Sequence, residues 1–235
     1  MQVHAGNGRR RPRCATWLGA ALLAGGCVTQ QPEPGLLGGQ NWDSKAAAKI
    51  PPNALTLYRL AGVLAAAGRD PEAEAVLITC RRRNPEFVPV YVDLSGLYVR
   101  NGRLDEAAQV LEQALQRSPR DPVLLNDLGM CWMLKGDYEQ ALGQFTLAAA
   151  AAPQDARFLA NQALATGMSG RYDEALELYR RVLPEEQAHF NVGLVCEARK
   201  DQKRAAAEFV LARAAPRAPQ NIPPPDAAPA QQPDP

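Results

Sequence analysis

The sequence is short of the residues that carry catalysis. It has two histidines among 235 residues, His4 and His189, and only His189 lies beyond the N-terminal leader. No GxSxG, HExxH or glycine-rich phosphate loop occurs, which removes the commonest serine-hydrolase, zinc-protease and nucleotide-binding arrangements. Cys80, Cys131 and Cys196 stand far apart in sequence, with neither the close pairs of a metal site nor a spacing that suggests a disulfide. They read as small buried hydrophobes. No long apolar run is present either: the one from Cys14 to Ala24 is about half of what a membrane-spanning helix needs. Charge of one sign is also missing. The chain has 26 basic and 25 acidic side chains, and because Arg9, Arg10, Arg11 and Arg13 precede Cys27 with no acid among them, 22 basic and 25 acidic remain beyond it. That balance offers no basic footprint for nucleic acid. The densest cationic run, Arg81 to Arg83, reads as the solvated end of a helix, where cations complement the dipole. With no acid–base pair and no ligand cluster, the chain is expected to be non-enzymatic, without cofactor or metal.

The two ends of the chain carry little that can form a core. In residues 1–26 a cationic start is followed by the short apolar run and by small residues, the pattern of a secretory signal. The run closes Leu23-Ala24-Gly25-Gly26-Cys27, which resembles the lipobox of bacterial lipoproteins and implies lipidation of Cys27, anchoring to a membrane, and residence in the cell envelope. Val28, where Asp does not follow the anchored residue, implies the outer membrane, facing the periplasm. Residues 27–52 are rich in Pro, Gly and Gln and read as a flexible tether, with a short helix expected over residues 44–50, capped by Ser44 and stopped by Pro51-Pro52. Residues 217–235, dense in proline, read as a disordered tail.

What the chain does have is repetition. Residues 88–121 and 122–155 align without a gap at an offset of 34 residues, and Gly, Ala and Pro recur at the fifteenth, twentieth and thirty-second places. The frame extends to repeats at 54–87, 88–121, 122–155, 156–185 and 186–216. Position 20 holds Ala73, Ala107, Ala141, Ala175 and Ala205, and four residues on stand Leu77, Leu111, Phe145, Tyr179 and Phe209. Position 8 is small throughout, as Ala61, Ser95, Gly129, Ala163 and Gly193. Small against large at fixed places is what two closely packed helices require. Each repeat shows apolar residues at helical spacing on two segments broken by a turn, at Gly68, Gly102, Gly136 and Gly170, with acids opening the helix that follows.

This frame resembles the tetratricopeptide repeat, whose helix-turn-helix unit it matches over residues 53–216. The resemblance implies an all-α solenoid of about five repeats in a right-handed superhelix, with neighbours burying one continuous core. Two departures are expected to matter. In the fourth repeat Gln162 and Thr166 replace large apolar residues and Pro184 arrives early, which makes it the weakest link. In the fifth, Lys200 stands where Gly is expected. His189 takes a packing place with no catalytic pattern of acids around it, and Arg204, Glu208 and Arg213 are left to keep the last helix wet, so Phe209, Val210 or Leu211 are candidates for self-association.

In the tetratricopeptide family the first helix of each repeat lines a concave groove. Carried over, its lining includes Tyr58, Val92, Val99, Arg100, Asn126, Met130, Met133, Leu134, Arg157, Leu164, Met168, Phe190 and Leu194. That surface is mostly apolar, and its three methionines suit adaptable contact with an apolar segment. Only Arg100, Asn126 and Arg157 resemble the polar set that holds a peptide's terminal carboxylate. The combined resemblance implies a scaffold that binds envelope proteins, of the kind that assists pilus or secretion assembly (tight-adherence pili or type IV pilotins), with adaptors of wall hydrolases or of outer-membrane protein assembly as the other known users of the same parts. A wall-acting enzyme needs a poised acid or base that the sequence does not display.

Overall fold

The structure is a computed structural model and describes residues 52–215. The signal, the lipidation site, the tether with its short helix, and the proline-rich tail lie outside the described residues.

Ten helices, and no strand, make up the described residues. They are α1 (Pro52–Ala66), α2 (Asp70–Arg83), α3 (Val88–Arg100), α4 (Leu104–Leu115), α5 (Pro122–Lys135), α6 (Tyr138–Ala151), α7 (Ala156–Met168), α8 (Tyr172–Arg180), α9 (Glu185–Ala198) and α10 (Gln202–Ala214). Odd-numbered helices are first helices of a repeat and even-numbered ones second helices. Each packs on its neighbours in sequence, and the first helices α3, α5, α7 and α9 also touch one another in a row. The result is the expected all-α solenoid.

The seams follow the small and large positions. Ala73, Ala107, Ala141 and Ala175 are fully buried and Ala205 nearly so, while Leu77, Leu111 and Phe145 fill the space beside them. At Gly129 a side chain is excluded outright: a Cβ there would lie 2.6 Å from the Phe145 ring. Gly193 faces Phe209 in the same way, at 2.5 Å. The core therefore runs from repeat to repeat without a break in sequence logic.

Helix ends are set by a recurring turn. Gly136 has φ 82°, its N–H donates to the Met133 carbonyl, and the Asp137 N–H donates to the Trp132 carbonyl, a closing pattern that satisfies two orphan carbonyls. The fifth repeat repeats it with Lys200, which adopts φ 65°, and with the same two hydrogen bonds to Glu197 and Cys196. Starting caps are more varied. Asp121, Asp137, Asp155 and Asp201 accept from backbone N–H groups one to two residues into the helix they open. Arg81, Arg82 and Arg83 do occupy the last turn of α2.

The fourth repeat solves its polar positions locally. Thr166, buried on α7, donates to the Gln162 carbonyl at 2.9 Å, and Gln162 donates to Thr146 of the preceding repeat at 3.1 Å. Its second helix α8 is the shortest, nine residues, because Pro184 forces the next repeat to begin early.

The last repeat departs from the sequence reading at one pair. Glu208 does not wet the outer face; it is 1% exposed. It occupies the place of Val76, Val110 and Leu178 in other repeats and meets His189, which stands in place of Tyr91 and Leu125. His189 Nδ1 lies 2.6 Å from Glu208 and Nε2 lies 3.1 Å from Glu185. Arg204 donates to Glu208 at 2.7 Å, completing an arrangement that leaves neither buried group unpaired. Two facing apolar positions have changed together into two polar ones, and sequence position alone misplaced the carboxylate. The outer face of α10 mixes exposed Ala206, Ala207, Val210 and Leu211 with exposed Lys203 and Arg213, and Phe209 is half-buried.

Candidate protein-binding groove

The first helices supply the candidate site. Along α3, Val92, Gly96, Val99 and Arg100 line a cleft of about 240 Å³, and Met130 of α5 faces them across it. Gly96 keeps the floor open, since a Cβ there would meet nothing nearer than the Arg100 guanidinium at 4.0 Å. Val92, Val99, Arg100 and Met130 are among the residues expected to line the groove, and the structure brings them together with Gly96. Asp93, Ser95, Asp127 and Cys131 complete the lining.

Other expected lining residues are distributed along the same row of helices. Tyr58, on α1, is half-buried and its ring meets Phe87 edge-on at 5.2 Å. Met130 and Met133 are half-buried against the Ala141, Phe145 and Ala165 cluster, so both contribute to the core as well as to the surface. Leu134, one residue on, is 43% exposed and belongs to no core cluster among the described residues. Leu164 packs on the fourth-repeat core, and Leu194 is half-buried. Phe190 is 41% exposed, with its ring 5.6 Å from that of Phe209. Met168 is buried, leaving little of it for a partner.

The groove cations are already engaged. The Arg157 guanidinium is held at 2.6 Å by Asp155, the cap of its own helix, and it also lies over the Phe158 ring. Arg100 lies 3.7 Å from Asp70. Asn126 accepts from Asn161 at 2.7 Å and donates to Asp127 at 3.3 Å. No side chain of the set Arg100, Asn126 and Arg157 is left waiting for a carboxylate.

One feature of the groove escaped the sequence reading. At the sixth position the first helices α3, α5, α7 and α9 carry Asp93, Asp127, Asn161 and Asn191, a polar column that repeats from one first helix to the next. Repeat-by-repeat alignment of that position is the signal that finds it. Tyr58 donates to Asp93, and desolvation nonetheless pushes the Asp93 carboxyl up to about 7; loss of water raises Asp127 to about 6. Burial and the adjacent carboxylate hold the Tyr58 hydroxyl far above its ordinary range. These acids are held on the wall of the cleft with less solvation than a carboxylate prefers.

The cysteines are packed into the core, Cys131 at the edge of the cleft. Cys80, Cys131 and Cys196 are buried free thiols, and loss of solvent raises all three, Cys131 to about 12 and Cys196 to about 11. Among the described residues no group of three or more His, Cys, Asp or Glu is placed to hold a metal ion, and no helix is long and apolar enough to cross a membrane.

Residues 98–165 and 160–221 match the tetratricopeptide repeat family, together more than half of the chain, and the chain belongs to it. Solved structures agree on the fold. MamA 41-end from Desulfovibrio magneticus RS-1 superposes with a TM-score of 0.58 at 20% identity, covering 70% of this chain and 95% of that one. A tetratricopeptide repeat protein from Parabacteroides merdae ATCC 43184 gives 0.59 at 17% identity, covering 70% and 67%. Another MamA structure gives 0.56 at 17% identity, covering 68% and 89%. No curated protein matches the chain in sequence. Repeats of this family make the chain a protein–protein interaction scaffold.

Proposed function

We propose that this scaffold is a lipid-anchored protein of the bacterial envelope that holds an apolar segment of another envelope protein in the row of first helices. The observation that carries the reading is the cleft between α3 and α5. Its walls are Val92, Val99 and Met130, its floor is Gly96, and its cations are compensated internally. Apolar walls favour burial of apolar side chains, and the under-solvated carboxyls of Asp93 and Asp127 favour a hydrogen-bond donor or a cationic head at the same place. An extended segment that alternates apolar residues with Lys or Arg fits both demands. A terminal carboxylate does not, since like charges would meet at that wall. The narrower role is assembly of a pilus or secretion complex, supported by the joint presence of the lipobox-like sequence ending at Cys27 and the repeats.

Two parts of the reading are tested in one experiment. Tagged protein is recovered from fractionated, solubilised envelope, and its companions are read by mass spectrometry. The wild type is expected in the outer-membrane fraction with pilus or secretion components, and Cys27→Ala in the soluble periplasm. Retention of Cys27→Ala in the membrane contradicts the anchor. Companions dominated by wall hydrolases contradict the assembly role.

A further inference from the structure

The fourth repeat keeps a cation whose ring it has lost. In the second repeat the Arg103 guanidinium lies 4.2 Å from the centre of the Tyr98 ring, and it donates to Glu74 at 2.7 Å and to Glu106 at 2.6 Å. The Tyr98 hydroxyl donates to Glu74 in its turn. The third repeat fills the same place with Trp132, whose ring centre is 4.3 Å from the Lys135 ammonium. In the fourth, Arg171 stands at the place of Arg103, but Thr166 replaces the ring and Leu142 replaces Glu74. Arg171 Nη2 is buried and makes no hydrogen bond; Glu139 and Glu174 stand 3.6 Å from the guanidinium. Thr166 and Arg171 both line an open pocket of about 420 Å³, with Leu142 of α6, Gln162 of α7 and Leu178 of α8. It shares no residue with the cleft between α3 and α5.

We propose that this pocket receives the ring of a phenylalanine or tryptophan presented by another protein, so that the partner supplies what the fourth repeat lacks. A cation set against the face of a ring is attracted by its quadrupole, as Arg103 is to Tyr98, and the interaction strengthens where water is excluded. Leu142 and Leu178 give the ring apolar contact. Leu142 also stands where Glu74 receives the Tyr98 hydroxyl, which favours a ring without one. Other occupants fit less well. An aliphatic side chain offers Arg171 no ring face, and an anion would meet Glu174 and Glu177, which line the same pocket. The proposal rests on the chain being a protein-binding scaffold and not on what the groove holds.

The test follows the leucine methyl resonances of Leu142 and Leu178 in the full chain during titration with N-acetylphenylalanine amide, N-acetylleucine amide and toluene. The phenylalanine probe is expected to move both sets of methyls by its ring current at concentrations where the leucine probe leaves them in place. Arg171→Gln is expected to weaken that response about threefold or more. Thr166→Phe fills the pocket from within, so it is expected to raise the thermal midpoint by about 3 °C or more and to abolish the response. An equal response to the leucine probe, or one that Arg171→Gln leaves unchanged, overturns the inference. A lowered midpoint in Thr166→Phe shows that no ring has room and overturns it too. Toluene entering where the phenylalanine probe does not overturns a ring carried on a protein, and shifts that grow with the chain's own concentration, without probe, place a second copy there in the partner's stead.

Discussion

Phe145 has room for its ring because residue 129 has no side chain, and Ala141 lets the partner helix come near enough to use that room. This exchange of small against large was legible because it repeats at fixed places. The polar column was not. Asp93 and Asp127 are each unremarkable in sequence, and only burial gives them consequence. Because the Asp93 carboxyl is raised from its ordinary ~3.8 to about 7, folding favours its protonated form. The stability this contributes is complete below pH ~4 and is lost as pH rises through 7. Asp93→Asn keeps an acceptor for Tyr58 but cannot ionise. Between pH 4 and 8 the wild type is expected to lose about 2–4 kcal/mol relative to the Asn variant. Parallel stability curves from urea melts at the two pH values contradict that burial.

At the scale of elements, the turn between first and second helix shows what periodicity can and cannot predict. Four repeats use Gly at positive φ, and the fifth places Lys200 there at φ 65° with the same closing hydrogen bonds. The sequence made Lys200 a departure; the backbone did not depart. A side chain in the left-handed region costs about 1–2 kcal/mol, partly offset by the greater unfolded freedom of glycine. Lys200→Gly is therefore expected to raise stability by about 0.5–1 kcal/mol. A drop in thermal midpoint contradicts this account of the turn. The His189 and Glu208 pair escaped the sequence for the opposite reason. The place of His189 holds Leu57, Tyr91, Leu125 and Leu159 in the other repeats, and that of Glu208 holds Val76, Val110 and Leu178 in three of them, so each polar residue read alone looked like a surface residue or a packing exception. Only the facing of α9 on α10 unites them, at 2.6 Å.

At the scale of the molecule, the alternation of paired helices and the places of their turns were legible in a 34-residue period that shortens to 30 in the fourth repeat, because a solenoid makes every repeat answer to the same neighbours. Its two ends answer to different ones. Leu60 and Val63 on α1, and Val210 and Leu211 on α10, are large apolar side chains left exposed there. The groove lies between those ends on the first helices. Leu134, 43% exposed on α5, and Leu147, 54% exposed on α6, are matched in kind, and they sit on a first and a second helix of the same repeat. Capture of envelope partners by Leu134→Glu and Leu147→Glu, compared with wild type at equal helical content, tests the groove most directly. An unpaired carboxylate in an apolar contact costs about 2 kcal/mol or more, so Leu134→Glu is predicted to lose at least ~30-fold in affinity while Leu147→Glu binds as wild type does. Undiminished capture by Leu134→Glu, or equal loss in both variants, contradicts the binding of a partner along the first helices.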